Sequence, residues 1–177
     1  MPASLGQLLF SFRGRINRQP WWIASLLVGI GTGVLTGIIE AVARLSGNAT
    51  LDPETNMAEP TGVFQLITAL ISLATTWVNL ALCAKRLHDR DRTAWWLAVQ
   101  VAVLVVAILA GIGAVVVSQA DFGGGAAAIY ALAGLIGLIA VVISIWLFIE
   151  IGFLRGTVGP NRFGPDPLGA SKPDAAL

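Results

Sequence analysis

Four long apolar runs separated by short polar stretches set the pattern of this chain. The runs cover residues 21–43, 62–84, 94–118 and 126–153, approximately. Each exceeds the ~20 residues an α-helix needs to cross a hydrocarbon core about 30 Å thick. The pattern predicts an all-α integral membrane protein with four transmembrane helices. The fourth run is long enough to need tilt or an interfacial end.

Ahead of the first run, Leu5, Leu8, Leu9, Phe12 and Ile16 fall at the i, i+3, i+4, i+7, i+11 spacing of one helical face. Arg13 and Arg15 flank that face and Arg18 lies opposite it. This layout predicts an N-terminal interfacial amphipathic helix within residues 1–20, its arginines snorkelling to lipid phosphates. Gly14 weakens that helix by about 1 kcal/mol. Pro20 suits the first turn of the following span, and Trp21 and Trp22 sit where an aromatic belt would be. The arginine-bearing lead and the long apolar run after it do not read as a cleavable signal peptide.

Polar and small residues inside the spans predict their contacts. Gly29, Gly33 and Gly37 form a ridge on which another helix backbone can approach closely, and Asn79 is placed to hydrogen-bond across helices. The lone Cys83 excludes an internal disulfide and reads as a packing residue. Residues 44–61 form a loop rich in turn formers and acids. The glycine run within 119–125 suits a tight hairpin. Asp91 or Thr93 is placed to cap the third span. Beyond the fourth span, residues 154–168 stack Gly-Pro and Pro-Gly elements, which predicts an ordered run of turns. Residues 169–177 read as a flexible end.

Net charge is only +1, but its distribution is lopsided. Arg13, Arg15, Arg18, Lys85, Arg86, Arg90, Arg92, Arg155, Arg162 and Lys172 fall on one side of a four-span topology, and Arg44 alone on the other. By the positive-inside rule this predicts an N-in/C-in protein of the bacterial inner membrane. A weak internal echo, Arg18-to-Trp22 against Arg92-to-Trp96, fits two related hairpins.

The polar chemistry concentrates in three segments: FSFRGRINRQPWW, KRLHDRDRTAWW and RGTVGPNRFGPDP. Together, in this order and at this spacing, they resemble domain-of-unknown-function family 805, small bacterial inner-membrane proteins. The resemblance runs from about Leu8 to Pro167. The matching positions are Gly14, Arg15, Arg18 and Trp22; Arg86, Leu87, His88, Asp89 and Trp96; and Gly156, Gly159, Asn161, Arg162, Gly164 and Pro165. Thr93-Ala94 stands where many members carry a step such as Ser-Gly. The resemblance implies architecture and sites; the family's name attaches no activity to them.

With all three segments at one membrane face, Arg15, Arg18, Arg86, His88, Asp89, Arg90, Asn161 and Arg162 are the candidate residues of one composite site. Guanidinium groups grip phosphate bidentately, and basic pockets on the cytoplasmic side suit anionic headgroups. The site is therefore expected to contact membrane lipids through anionic headgroups or phosphate, while also locking helix ends together. His88 is placed as a pH-dependent donor. One histidine and one cysteine are too few for a His/Cys metal site, and no motif for a nucleophile, zinc hydrolase or phosphate-cradling loop is present. No catalytic residue, metal, cofactor or nucleic-acid partner is expected. Two other functions fit the composition. One is a small dimeric transporter or channel using Glu40, Glu150, Gln65, Asn79 and Gln100, with the glycine ridge as a homodimer interface. The other is an accessory subunit of another membrane protein.

Overall fold

A computed structural model describes residues 5–52, 58–119 and 125–169. The described elements are α1 (Leu5–Phe10), α2 (Arg18–Leu45), a hairpin of β1 (Ala49–Leu51) and β2 (Ala58–Pro60), α3 (Val63–Asp89), α4 (Trp95–Gln119) and α5 (Gly125–Gly152). The four long helices are each long and apolar enough to cross a membrane. Of the turn expected at 119–125, Gln119 ends α4 and Gly125 begins α5, while 120–124 lie outside the described residues, as do the chain end from 170 onward and the middle of the acidic loop, 53–57.

The helices outrun the apolar segments that specify them. Asn17 caps α2 in extended conformation, its side chain accepting from the Arg18 amide at 2.6 Å. At 28 residues α2 is about 42 Å long, so its ends project beyond a hydrocarbon core of about 30 Å. The loop after α2 folds back as an antiparallel hairpin, pairing Ala49 with Pro60, Thr50 with Glu59 and Leu51 with Ala58.

The N-terminal arm departs from the helix its periodicity predicts. Helix α1 stops at Phe10, and Gly14 takes φ +91°, a left-handed conformation that ends any helical run there. Tertiary contacts with α3 replace the missing turns. Lys85, itself buried, points its ammonium at the Gln7 and Leu8 carbonyls, which α1 leaves unsatisfied at its C-terminal end. The Ile16 amide donates to the Lys85 carbonyl, and Phe12 meets Trp77 edge-on at 5.0 Å. Ile16 is the arm's deepest residue and belongs to the core. The arm is thus a strap along α3 rather than a continuous interfacial helix.

The core lies at one end of the bundle. It joins Ile16, Trp21 and Ala24 to Val78, Leu82 and Leu87 of α3 and to Leu147 and Ile151 of α5. Most apolar residues farther along the helices face outward, as they do in helices solvated by lipid tails. Polar links between helices outside this core include Thr32 to Thr75 at 3.0 Å between α2 and α3, and Gln100 to Ser144 at 2.7 Å between α4 and α5.

Two expected packing features differ. Asn79 donates to the Thr75 carbonyl of its own helix at 3.0 Å, the bond back to the preceding turn that a short polar side chain makes within a helix, and not across helices. Gly29, Gly33 and Gly37 meet no other part of the described chain; a Cβ built on any of them has nothing within 4 Å. The face of α2 that carries the buried Trp21 and Ala43, and the Thr32 link to α3, lies roughly 100° around the helix from the ridge.

Candidate functional site: an arginine-carboxylate clamp

The end of α3 organises the site. Helix α3 closes with the Arg92 amide donating to the Leu87 carbonyl at 2.9 Å and the Asp91 amide to the His88 carbonyl at 3.0 Å. These are the two bonds of a Schellman motif. Asp91 occupies the left-handed position at φ 57°, which glycine usually fills. It therefore ends α3 and does not cap α4. Replacing Asp91 by alanine keeps a Cβ in the left-handed conformation, a cost of about 1–2 kcal/mol that Asp91 already bears, and loses up to about 1 kcal/mol for its exposed pair with Arg162. Glycine loses the same pair but sheds the Cβ cost. Thermal unfolding in detergent should therefore place Asp91→Gly above Asp91→Ala; equal loss in both variants would refute the backbone argument.

At the last residue of α3, Asp89 receives two arginines. Arg86, three residues earlier on α3, donates to Oδ2, and Arg15 of the strap donates to Oδ1 through Nε at 3.1 Å and a terminal nitrogen at 3.0 Å. Exposure of the Arg86, Arg15 and Asp89 side chains is 0%, 1% and 5%, so this triad is dry. The remaining donors find backbone oxygens. Arg86 reaches the Ile151 and Leu154 carbonyls at the end of α5, and Arg15 reaches those of Thr157 and Gly159, each at 2.7 Å.

The tail wraps the same point. The Thr157 amide and hydroxyl both donate to the Asp89 carbonyl, at 2.8 and 3.0 Å. Asn161 donates to the His88 carbonyl at 2.9 Å, and Phe163 stacks on the His88 ring at 3.9 Å, 7° from parallel. Arg162 pairs with Asp91 at 3.1 Å. His88 closes the set from the other side, its Nδ1 donating to the Gly14 carbonyl at 3.2 Å. Asp166 braces the tail by accepting from the Gly159 and Leu168 amides, and these two bonds hold its carboxyl below the usual value.

A second cluster ties α5 to the connector. Glu150, 4% exposed, accepts from Nε of both Arg90 and Arg92 at 2.7 Å. Arg90 also donates to the Arg155 carbonyl, and the Arg92 guanidinium lies over Trp146. Glu150 stood out in the sequence only as a carboxylate near a span end. Its pairing across about 60 residues leaves no trace in local spacing.

All eight candidate residues lie at this end of the bundle, but they do not share one role. The side chains of Arg15 and Arg86 are buried against Asp89 and backbone carbonyls, which corrects the expectation that these two arginines grip a headgroup; Asp89, paired with both, also lines a cleft at this end of the bundle. Arg90 and Arg162 are partly committed to carboxylates, while His88 and Asn161 are committed to backbone oxygens. Arg18 is exposed, and only one of its nitrogens is engaged, donating to the Phe153 carbonyl at 2.9 Å. Sequence reasoning gave no clamp role to Asn17, Thr157 or Glu150. The first had a readable signal, a cap-type residue directly before the helical run. Among the described residues, no group of three His, Cys, Asp or Glu side chains is placed to hold a metal ion.

The architecture is that of a helical membrane protein with four helices able to span, closed at one end by a clamp of three polar segments. The chain belongs to the family described as Protein of unknown function (DUF805), whose model matches residues 9–165. The match takes in all three clamp segments. Among curated proteins, the uncharacterized protein YiiR of Escherichia coli strain K12 is 29% identical over 163 residues, which cover 92% of this chain and 90% of that one. The inner membrane protein YhaH of the same strain is 27% identical over 157 residues, covering 88% and 86%. No solved structure matches the chain.

Proposed function

We propose that this is a multi-pass protein of the bacterial inner membrane, with both termini cytoplasmic, whose three polar motifs form a structural clamp that meets anionic headgroups or phosphate at its rim. The role is non-catalytic. The observation that carries this reading is the allocation of arginines. Arg15, Arg86, Arg90, Arg92 and Arg162 each form an ion pair with a carboxylate of the same chain, whereas Arg13, Arg18 and Arg155 form none with the described residues, Arg155 lying only within electrostatic range of Asp166. The paired set holds the helix ends; the unpaired set is free for lipid phosphate. The inner-membrane location is supported by the likeness to YhaH, and the orientation by the ten-to-one cation bias.

Less supports the transport reading. Glu150, its best intramembrane carboxylate, already carries two arginines, which removes the free charge an ion path needs.

Reporter fusions test the orientation, and lipid analysis tests the rim. A reporter active only outside the cytoplasm is expected to work when fused at residue 56 or 122 and to be silent at residue 177; the reverse pattern overturns the orientation. Protein purified in mild detergent is expected to carry phospholipid visible by native mass spectrometry, with anionic species enriched over their share of the membrane. Lipid in bulk proportions would remove the headgroup role and leave the clamp as a purely structural device.

A further inference from the structure

We infer that the face between the α2 N-terminus and the end of α5 is a binding site for one anionic phospholipid, its phosphate held by Arg18 and Arg155 and an acyl chain laid along Trp22, Phe153 and Phe148. This rests on the headgroup contact proposed above and assigns it to specific residues.

The polar half is a cleft of about 210 Å3 with Asn17, Arg18, Arg155 and Thr157 in its wall. That volume accommodates a phosphodiester and not an acyl chain. Arg18 keeps one guanidinium nitrogen on the Phe153 carbonyl and meets no carboxylate. Arg155 contributes its carbonyl to Arg90, and its side chain makes no hydrogen bond or ion pair with the described residues. Two carboxylates also line the cleft. Asp89 is neutralised by Arg15 and Arg86. Asp166 accepts from the Gly159 and Leu168 amides and keeps its charge, within electrostatic range of Arg155. The guanidiniums of Arg18 and Arg155 outweigh this one unpaired carboxylate, so the cleft stays net positive and keeps donors for a phosphate.

The apolar half begins where the cleft ends. Arg18 and Asn17 are shared with an adjoining open groove that continues over Trp22, Gly152 and Phe153. Trp22, Phe148 and Phe153 pack edge to face at 5.4–6.1 Å, and both phenylalanines are about half exposed. The Trp22 indole N–H is already satisfied by the Gly152 carbonyl at 3.0 Å, so its outward surface is apolar. An aromatic strip leading from a pair of free arginines into the bilayer fits a lipid with one charged and one hydrocarbon end. Free phosphate would use only the first half.

The test uses the full-length protein in mild detergent with three probes: phosphatidylglycerol, phosphatidylcholine of the same acyl chains, and inorganic phosphate. Native mass spectrometry is expected to show phosphatidylglycerol retained at least tenfold over phosphatidylcholine, with millimolar phosphate failing to displace it. Arg155→Gln, which breaks no hydrogen bond or ion pair within the described chain, should reduce that retention severalfold at unchanged melting temperature, and Arg18→Gln with Arg155→Gln should abolish the preference. Arg44→Gln, at the far end of α2 and outside the cleft, should leave it intact. Phe153→Ala should weaken lipid without creating phosphate sensitivity. Three outcomes overturn the site: equal retention of both lipids, displacement by phosphate, or an effect of Arg44→Gln equal to that of Arg155→Gln. If anionic preference persists in the double variant, this site falls while headgroup contact elsewhere on the rim stands.

Discussion

Replacing Asp89 by alanine is expected to destabilise the protein by about 3–5 kcal/mol, the cost of removing one partner from a buried ion pair. Here the removal strands two cations. Arg86 and Arg15 are 0% and 1% exposed, so neither reaches water without opening the core. Each keeps carbonyl partners, from Ile151 and Leu154 and from Thr157 and Gly159. Carbonyl dipoles satisfy donors but carry no net charge to balance two guanidiniums packed side by side. Asp89→Asn should fall between, since the amide oxygen still accepts but its NH2 group points a donor at donors. The interaction also predicts a coupling. Arg15→Met in the Asp89→Ala background should cost less than Arg15→Met alone, because it removes one of the stranded charges. Denaturation in detergent micelles checks both points; a loss under about 1 kcal/mol for Asp89→Ala would mean that the triad does not hold the fold together.

The four spans were readable because a bilayer imposes a length and a hydrophobicity that no soluble element needs. Their ends were less readable. Helix α2 begins at Arg18 and α3 runs through Asp89, because at the headgroup level a charged residue extends a helix as readily as an apolar one when its side chain finds a partner. The meeting of the three motifs followed from counting membrane crossings, which places alternate loops on one side whatever their detailed packing. What each arginine does there was not readable. Arg15 and Arg18 lie three residues apart in the same motif, yet one is sealed against Asp89 and the other is exposed. The difference arises because the chain turns at Gly14 and lays Ile16 into the core, which swings Arg15 inward. A helical period drawn through residues 5–16 puts both on the surface. Intrinsic periodicity lost here to tertiary contacts with Lys85 and Trp77, and no local signal announces that outcome.

Gly156 makes the tightest demand of any glycine in the described chain, and the demand is for space rather than for an unusual backbone angle. A Cβ placed there would overlap the Asp89 Oδ2 and lie 2.5 Å from its Cγ and 2.9 Å from Oδ1. Asp89 has nowhere to retreat, since Arg86 and Arg15 grip its two oxygens from separate elements and Thr157 grips its carbonyl. Gly156→Ala must therefore push the tail away or break the triad. Overpacking alone costs about 1–3 kcal/mol, and loss of the carboxylate pairing adds to it. A cycle separates this from a general backbone effect. In the Asp89→Ala background the atoms that the new methyl would strike are gone, so Gly156→Ala should cost well under 1 kcal/mol there. The two substitutions together should then be scarcely worse than Asp89→Ala alone. Additive losses, measured by the same unfolding assay, would show that Gly156 is required for the path of the tail and not for its approach to Asp89.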